Sequence, residues 1–208
     1  MQTSATTSAF SRTNISAMDL MDKFEYCPVC GSSHFERGTH KSKQCSNCGF
    51  EYFMNPAAAV VAFITNRKGE LLVERRKNEP AKGTLDLPGG FSDTYETAEE
   101  GIAREVHEET GLEVKSTRYM FSLPNVYRYS GLDIQTLDVF FECKVDDPSA
   151  LKAGDDAAEC MWIAPADIHT EQFGLRSVRQ GLYKYLEAKG ISPAYQEHQP
   201  THDTHKKD

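Results

Sequence analysis

GFSDTYETAEEGIAREVHEETGL, residues 90–112, holds seven carboxylates and a single Arg within 23 positions. Its local signals describe a helix. Thr97 is a good N-cap residue, and Glu100 three positions on completes a capping box. Gly111 is a natural C′ residue, so the helix is expected to end at Thr110. Ala98, Ile102 and Val106 recur at i, i+4 and i+8 and make an apolar stripe, which Ala103 widens. Glu105, Glu108 and Glu109 follow the i, i+3, i+4 rule and share a different face. Like charges at that spacing repel by roughly 0.2–0.5 kcal/mol per pair. They also lie at the helix C-terminus, where the macrodipole is negative. Either water solvates them or a cation offsets them, and the spacing favours a cation. Clustered hard oxygen ligands suit Mg2+ or Mn2+ rather than zinc.

The same stretch resembles the Nudix box, G-x5-E-x7-R-E-U-x-E-E-x-G-U with U apolar. It matches at Gly90, Glu96, Arg104, Glu105, Val106, Glu108, Glu109, Gly111 and Leu112. The resemblance implies a loop-helix-loop that binds Mg2+ and hydrolyses a nucleoside diphosphate linked to another moiety. By position it assigns metal binding to Glu108 and Glu109. Glu105 becomes a further ligand or the general base, and the backbone carbonyl of Gly89 another ligand. Arg104 and Glu96 would pair and orient the catalytic carboxylate. It also implies a late acidic ligand, here Glu159 or Asp156 ahead of Trp162. The chemistry suits these residue types, because the charge of a diphosphate must be neutralised before water can approach.

Upstream, Cys27-Pro-Val-Cys30 and Cys45-Ser-Asn-Cys48 are separated by 14 residues. Paired CxxC knuckles at this distance read as a four-cysteine zinc ribbon. Gly31 and Gly49 follow the knuckles, where tight turns are required. A ribbon of this size has no core of its own, so zinc would supply its folding energy and its role would be structural. Disulfides would need an oxidising compartment, and nothing here signals export. Cys143 and Cys160 sit in apolar stretches and read as buried thiols.

A ribbon ahead of a Nudix box is similar to the zinc-ribbon subset that includes the NADH pyrophosphatases. Two features depart from those enzymes. Only 26 residues precede Cys27, too few for their N-terminal domain. Their SQPWPFPxS motif after the box is replaced by Tyr119-Met-Phe-Ser-Leu-Pro-Asn-Val-Tyr-Arg-Tyr129, which leaves the linked moiety open.

The expected fold class is α/β, a Nudix α/β/α sandwich with a mixed sheet behind the ribbon. The organisation is a disordered tail at 1–24, the ribbon at 25–53, the Nudix domain at 54–190 and a second tail at 191–208. Residues 57–65 and 70–76 are expected to form a hairpin. Residues 114–129 and 135–145 read as strands, with Leu137, Val139 and Phe141 facing the core. Met161-Trp162-Ile163 closes the sheet, Pro165 opens a helical turn, and 177–188 forms an amphipathic helix. Candidate substrate contacts are Arg76, Tyr127 and Arg128, suited to stack on a base or meet phosphate, together with Asp156.

The formal charge of −8 disfavours a nucleic-acid partner held by a basic surface. No apolar run reaches the length of a membrane span. The resemblance implies a small nucleotide partner such as ADP-ribose, NADH or a nucleotide sugar, and the expected setting is the cytoplasm. A homodimer is compatible with this reading. The alternative is a nucleotide-sensing module with the ribbon as its interaction surface; the intact box favours an enzyme.

Overall fold

The computed structural model describes residues 20–152 and 157–191. They fall into two compact units that divide between Met54 and Asn55. The tail candidates at 1–19 and 192–208, including His198, His202 and His205, lie outside the described residues, as do Asp155 and Asp156.

In the first unit, β1 (Phe35–Thr39), β2 (Ser42–Cys45) and β3 (Glu51–Phe53) form an antiparallel sheet in that order. The knuckles are built alike. Gly31 N–H bonds Cys27 O at 2.9 Å, and Gly49 N–H bonds Cys45 O at 2.9 Å. Both glycines have φ values near +70 to +80°, which a side chain would strain. Order begins earlier than residue 25: Leu20–Lys23 is a 3-10 turn with Met21 buried. Lys43 Nζ donates to Phe24 O, and the Phe24 ring meets Tyr52 edge-on at 5.8 Å. Those contacts draw the end of the expected tail into the ribbon.

The second unit begins with β4 (Ala57–Ile64), β5 (Leu71–Arg76), β6 (Leu85–Asp86) and β7 (Gly89–Phe91). Then come α1 (Ala98–Thr110), β8 (Val114–Tyr129), β9 (Leu132–Val145), β10 (Ala157–Ile163) and α2 (Arg176–Ala188). A mixed sheet runs β7-β4-β9-β8, with β4 parallel to β9 and the other pairs antiparallel. A smaller sheet runs β10-β5-β6. α1 covers one face of the mixed sheet and α2 the other. β4 explains why its sequence is an unbroken apolar run. Val60, Ala62 and Ile64 pack with Ile102 and Val106 of α1, whereas Val61 and Phe63 pack with Val178, Leu182 and Tyr185 of α2. A strand buried on both faces has no polar side to show.

α1 has the expected ends. Thr97 and Glu100 form the full capping box, and Gly111 takes the left-handed conformation at φ 67°. The hairpin expected at residues 57–76 is not formed. β7 and β9 occupy both edges of β4, so β5 pairs instead with β10 and β6; only a Thr65–Leu71 bridge joins it to β4. The tight hairpin lies elsewhere, between β8 and β9. Ser130 and Gly131 both have positive φ, 52° and 77°, the two-residue turn whose twist matches its strands. The alternation in β9 is also reversed at its start. Thr136 and Asp138 are buried, and Leu137 is 44 % exposed. Among the described residues no helix is long and apolar enough to cross a membrane.

Candidate active site

The Pro-Gly-Gly turn, α1 and the smaller sheet enclose a cleft of about 380 Å³. Gly89 and Gly90 form part of its wall; the backbone requires glycine at 89, and a side chain at 90 would displace the Glu105 carboxylate. Gly89 has φ 151°, and a Cβ there would lie 2.1 Å from Val60 O. A Cβ on Gly90 would lie 2.5 Å from Glu105 Oε1. The box glycines therefore let the helix carboxylates approach the β7 backbone. Gly89 N–H donates to Glu109 Oε2 at 2.8 Å.

Arg104 braces this arrangement. Its Nε and Nη2 donate to the two oxygens of Glu96 at 3.1 and 2.8 Å, a bidentate pair. Nη1 bonds Glu105 at 3.0 Å and Glu108 at 3.1 Å, and Nη2 also reaches Phe91 O at 3.1 Å. These bonds, above all those to Glu96, hold the guanidinium more firmly protonated than usual. The same contact, helped by Asp93 N–H, keeps Glu96 below the ordinary Glu range. Arg104 and Glu96 stand behind the cleft wall, and Glu105 and Glu109 form part of it.

The three box glutamates differ in environment. Glu109 is 8 % exposed, and the Glu105 and Glu108 side chains are 13 % and 57 % exposed. Burial pushes the Glu109 carboxyl well up, and the neighbouring Glu74 charge adds to it. Burial raises Glu105 as well, against the pull of Arg104. Glu108 stays on the Arg104 side and does not line the cleft. Glu74 on β5 and Asp86 on β6, cross-strand partners, complete the acidic wall; each is 4 % exposed. Burial likewise raises Asp86, with Arg76 opposing it.

Arg76 lines the cleft, and each of its three nitrogens makes a bond within the protein. Nε bonds Pro80 O at 2.7 Å, Nη1 bonds Asp86 at 2.5 Å and Nη2 bonds the Tyr127 hydroxyl at 3.1 Å. It braces the site rather than presenting a free fork to phosphate. Tyr127 lies in the cleft, edge-on to Phe91 at 5.3 Å. Arg128, one residue on, points to the opposite face and pairs with Asp133 at 2.9 Å, so the strand period removes it from the site. Glu159 faces Arg75 across the β10–β5 ladder and bonds it at 3.4 Å. Its side chain is 59 % exposed and does not line the cleft. Asp156, the other late carboxylate, lies outside the described residues.

The cleft residues that the sequence reading did not single out include Glu74, Asp86, Asn125, Thr136 and Asp138. A polar residue on the buried parity of a strand was the available signal. Glu74 directly follows Leu71, Leu72 and Val73, and Asp138 alternates with Phe140.

The residue types in the cleft suit a divalent cation, being hard oxygens that are partly desolvated and face one cleft, although no three of these carboxylates bring their oxygens within 4.8 Å of one another. In the ribbon, Cys27 and Cys48 Sγ lie 3.7 Å apart, as do Cys30 and Cys45 Sγ. All four sulfurs fall within 4.8 Å of one another, the only such metal-binding set among the described residues. A tetrahedral ion with bonds of ~2.3 Å sets sulfurs about 3.8 Å apart, so one ion fits.

The family model described as the NUDIX domain matches residues 55–186, well over half of the chain. The chain belongs to the Nudix family. The chain is 38% identical over 112 residues to an ADP-ribose pyrophosphatase of Methanocaldococcus jannaschii, covering 53% of this chain and 63% of that protein. It is 30% identical over 105 residues to the NAD-capped RNA hydrolase NudC of Vibrio parahaemolyticus, covering 50% and 40%. The chain thus spans less than two thirds of the length of these curated relatives. A crystal structure of a NUDIX hydrolase from Nitrosomonas europaea superposes with a TM-score of 0.61 at 22% identity, covering 82% of this chain and 96% of that one. This last likeness establishes the fold.

The raised carboxyls have a consequence for stability. A group whose folded pKa exceeds its unfolded value makes the folded state bind the proton more tightly. Its effect is to lower stability as pH rises above the ordinary value of 4.5 and through the raised one. Groups with depressed values, such as Glu96 and Glu142, act in the opposite sense and below 4.5. In chelator-treated protein, the melting temperature of the Nudix domain is expected to fall between about pH 5 and pH 8. Millimolar Mg2+ should raise it more at the upper pH than at the lower. Differential scanning fluorimetry reads both; an equal Mg2+ shift at both pH values would contradict the carboxylate assignment.

Proposed function

We propose that this protein is a divalent-cation-dependent hydrolase that cleaves the pyrophosphate bond of a nucleoside diphosphate linked to another moiety. ADP-ribose is the foremost candidate, and NADH and nucleotide sugars belong to the same class. The observation that carries the reading is the meeting of Glu105, Glu109, Glu74 and Asp86 on one cleft beside the Gly89–Gly90 backbone. The names of its relatives, an ADP-ribose pyrophosphatase and an NAD-capped RNA hydrolase, support the substrate class.

Bound Mg2+ or Mn2+ would neutralise the diphosphate and lower the pKa of water. Glu105 and Glu109 would hold it from α1, with the Gly89 carbonyl and Glu108 completing the set after a side-chain rotation away from Arg104. Glu105 or Glu109 would take the proton of the attacking water, as carboxylates beside the cation that activates it. Arg104 and Glu96 act through Glu105, holding its carboxylate against Gly90. Water adds to one phosphorus and the bridging P–O bond breaks. For ADP-ribose the products are AMP and ribose 5-phosphate.

Cys27, Cys30, Cys45 and Cys48 would hold structural Zn2+, with no position left for substrate. Six free cysteines suit a reducing compartment, which supports a cytoplasmic setting.

Incubation with ADP-ribose, NADH and nucleotide sugars in Mg2+ or Mn2+ should release a nucleoside monophosphate from at least one. Folded, metal-supplied protein that cleaves none of them would overturn the reading. Glu109→Gln should lose on the order of 10²–10⁴ in kcat with its fold retained; turnover near wild type would refute the site. For the ribbon, elemental analysis of freshly reduced protein should find one zinc per chain, and a value near zero would contradict it.

A further inference from the structure

Beyond the acidic wall, the cleft contains a second polar group that the hydrolytic chemistry leaves unused. Asn125, Thr136 and Asp138 line it from β8 and β9, with exposures of 7, 3 and 4 %. Asp138 accepts three hydrogen bonds. Asn125 Nδ2 donates to Oδ2 at 3.1 Å, Ser177 Oγ to Oδ2 at 2.5 Å and Thr136 Oγ1 to Oδ1 at 2.5 Å. A carboxylate has about four acceptor positions, so one remains, on Oδ1. The bond from Nδ2 to Asp138 fixes which way the Asn125 amide points, so Asn125 presents its oxygen as an acceptor and keeps its second Nδ2–H as a donor. Leu87, Leu175 and Val178 supply apolar lining, and Phe91 and Tyr127 supply aromatic lining.

This network is costly as packing alone. A buried carboxylate carries a desolvation penalty, and an apolar residue between Thr136 and Phe140 would avoid it. Part of the return is structural. Ser177 lies in the first turn of α2, whose N-cap Leu175 offers no side-chain cap, so the Asp138 charge serves that helix end. A helix anchor does not require the cleft-facing amide of Asn125, nor flat apolar walls around it.

We propose that Asn125 and Asp138 read the nucleobase of the substrate through its exocyclic amine. The proposal rests on the hydrolase reading above. The apolar and aromatic lining suits a flat heterocycle. The acceptors suit N–H donors, whereas a carbonyl oxygen in the same place would face lone pairs. Sites built to bond a substrate N–H or O–H discriminate strongly against analogues that lack it. The chain should therefore prefer an amino-bearing base such as adenine over hypoxanthine, in which a carbonyl replaces the amine.

The test compares ADP-ribose with IDP-ribose in the wild-type protein and in Asn125→Leu and Asp138→Asn, each checked for folding by its melting curve. The wild type should favour ADP-ribose by on the order of tenfold or more in kcat/KM, chiefly through KM. Asn125→Leu should remove most of that preference, raising KM for ADP-ribose far more than it lowers kcat. A purely structural role would lower the melting temperature and leave the base preference intact, which would overturn the proposal. Equal use of both substrates by the wild type would also overturn it while leaving the hydrolase reading in place; cleavage of neither would remove that reading first. Should Asp138→Asn fail to fold, the wild-type preference and Asn125→Leu still decide the matter.

Discussion

The guanidinium of Arg104 bonds Glu96, Glu105, Glu108 and the carbonyl of Phe91 at once. Without it, the last two turns of α1 would present three carboxylates to one another at the negative end of a helix dipole. With it, the loop that enters the helix is tied to the face that leaves it. The tie holds Glu105 against Gly90, while the Gly89 N–H holds Glu109 one helical turn on. An Arg is needed rather than a Lys, because the pairing with Glu96 is bidentate and a second nitrogen must reach Glu105 and Glu108. Arg104 offsets Glu105 and Arg76 offsets Asp86, but the repulsion between Glu74 and Glu109 lies beyond the reach of Arg104, and a divalent cation would take up that charge.

The sandwich exists to hold that cluster still. β4 is buried on both faces, and its edges carry β7 with the two box glycines and β9 with Asp138. α1 and α2 press on opposite sides of the same strand, so acidic wall and polar floor rest on one rigid frame. Phe63 stacks on Tyr185 of α2 at 4.1 Å, linking the strand to the helix that also supplies Leu175 and Val178 to the cleft.

The helix, its caps and its glutamates were legible because their signals are local: a capping box, a C′ glycine and 3.6-residue spacing all lie within residues 97–112. The ribbon was legible for the same reason, since each knuckle is a four-residue turn. What sequence could not supply was pairing across distance. Glu74 and Asp86 meet only through the β5–β6 register, and Asn125 and Asp138 only through the β8–β9 ladder. A period-two strand also punishes small errors. Arg128 sits one residue from Tyr127 and faces away, and Leu137 sits beside Asp138 and faces solvent. The resemblance pointed to Glu159 or Asp156, but the register of β10 sets Glu159 beside Arg75. The residues 57–76 suggested a hairpin because propensity cannot reveal that both edges of β4 are already taken.

The most direct test of the central claim, that the carboxylates around this cleft exist to hold a divalent cation, is anomalous diffraction at the manganese edge from crystals soaked in Mn2+. The account predicts a peak in the cleft, within about 2.0–2.3 Å of carboxylate oxygens from Glu105 and Glu109. Ordered manganese found only elsewhere on the protein, with Glu105 and Glu109 unligated, would contradict it.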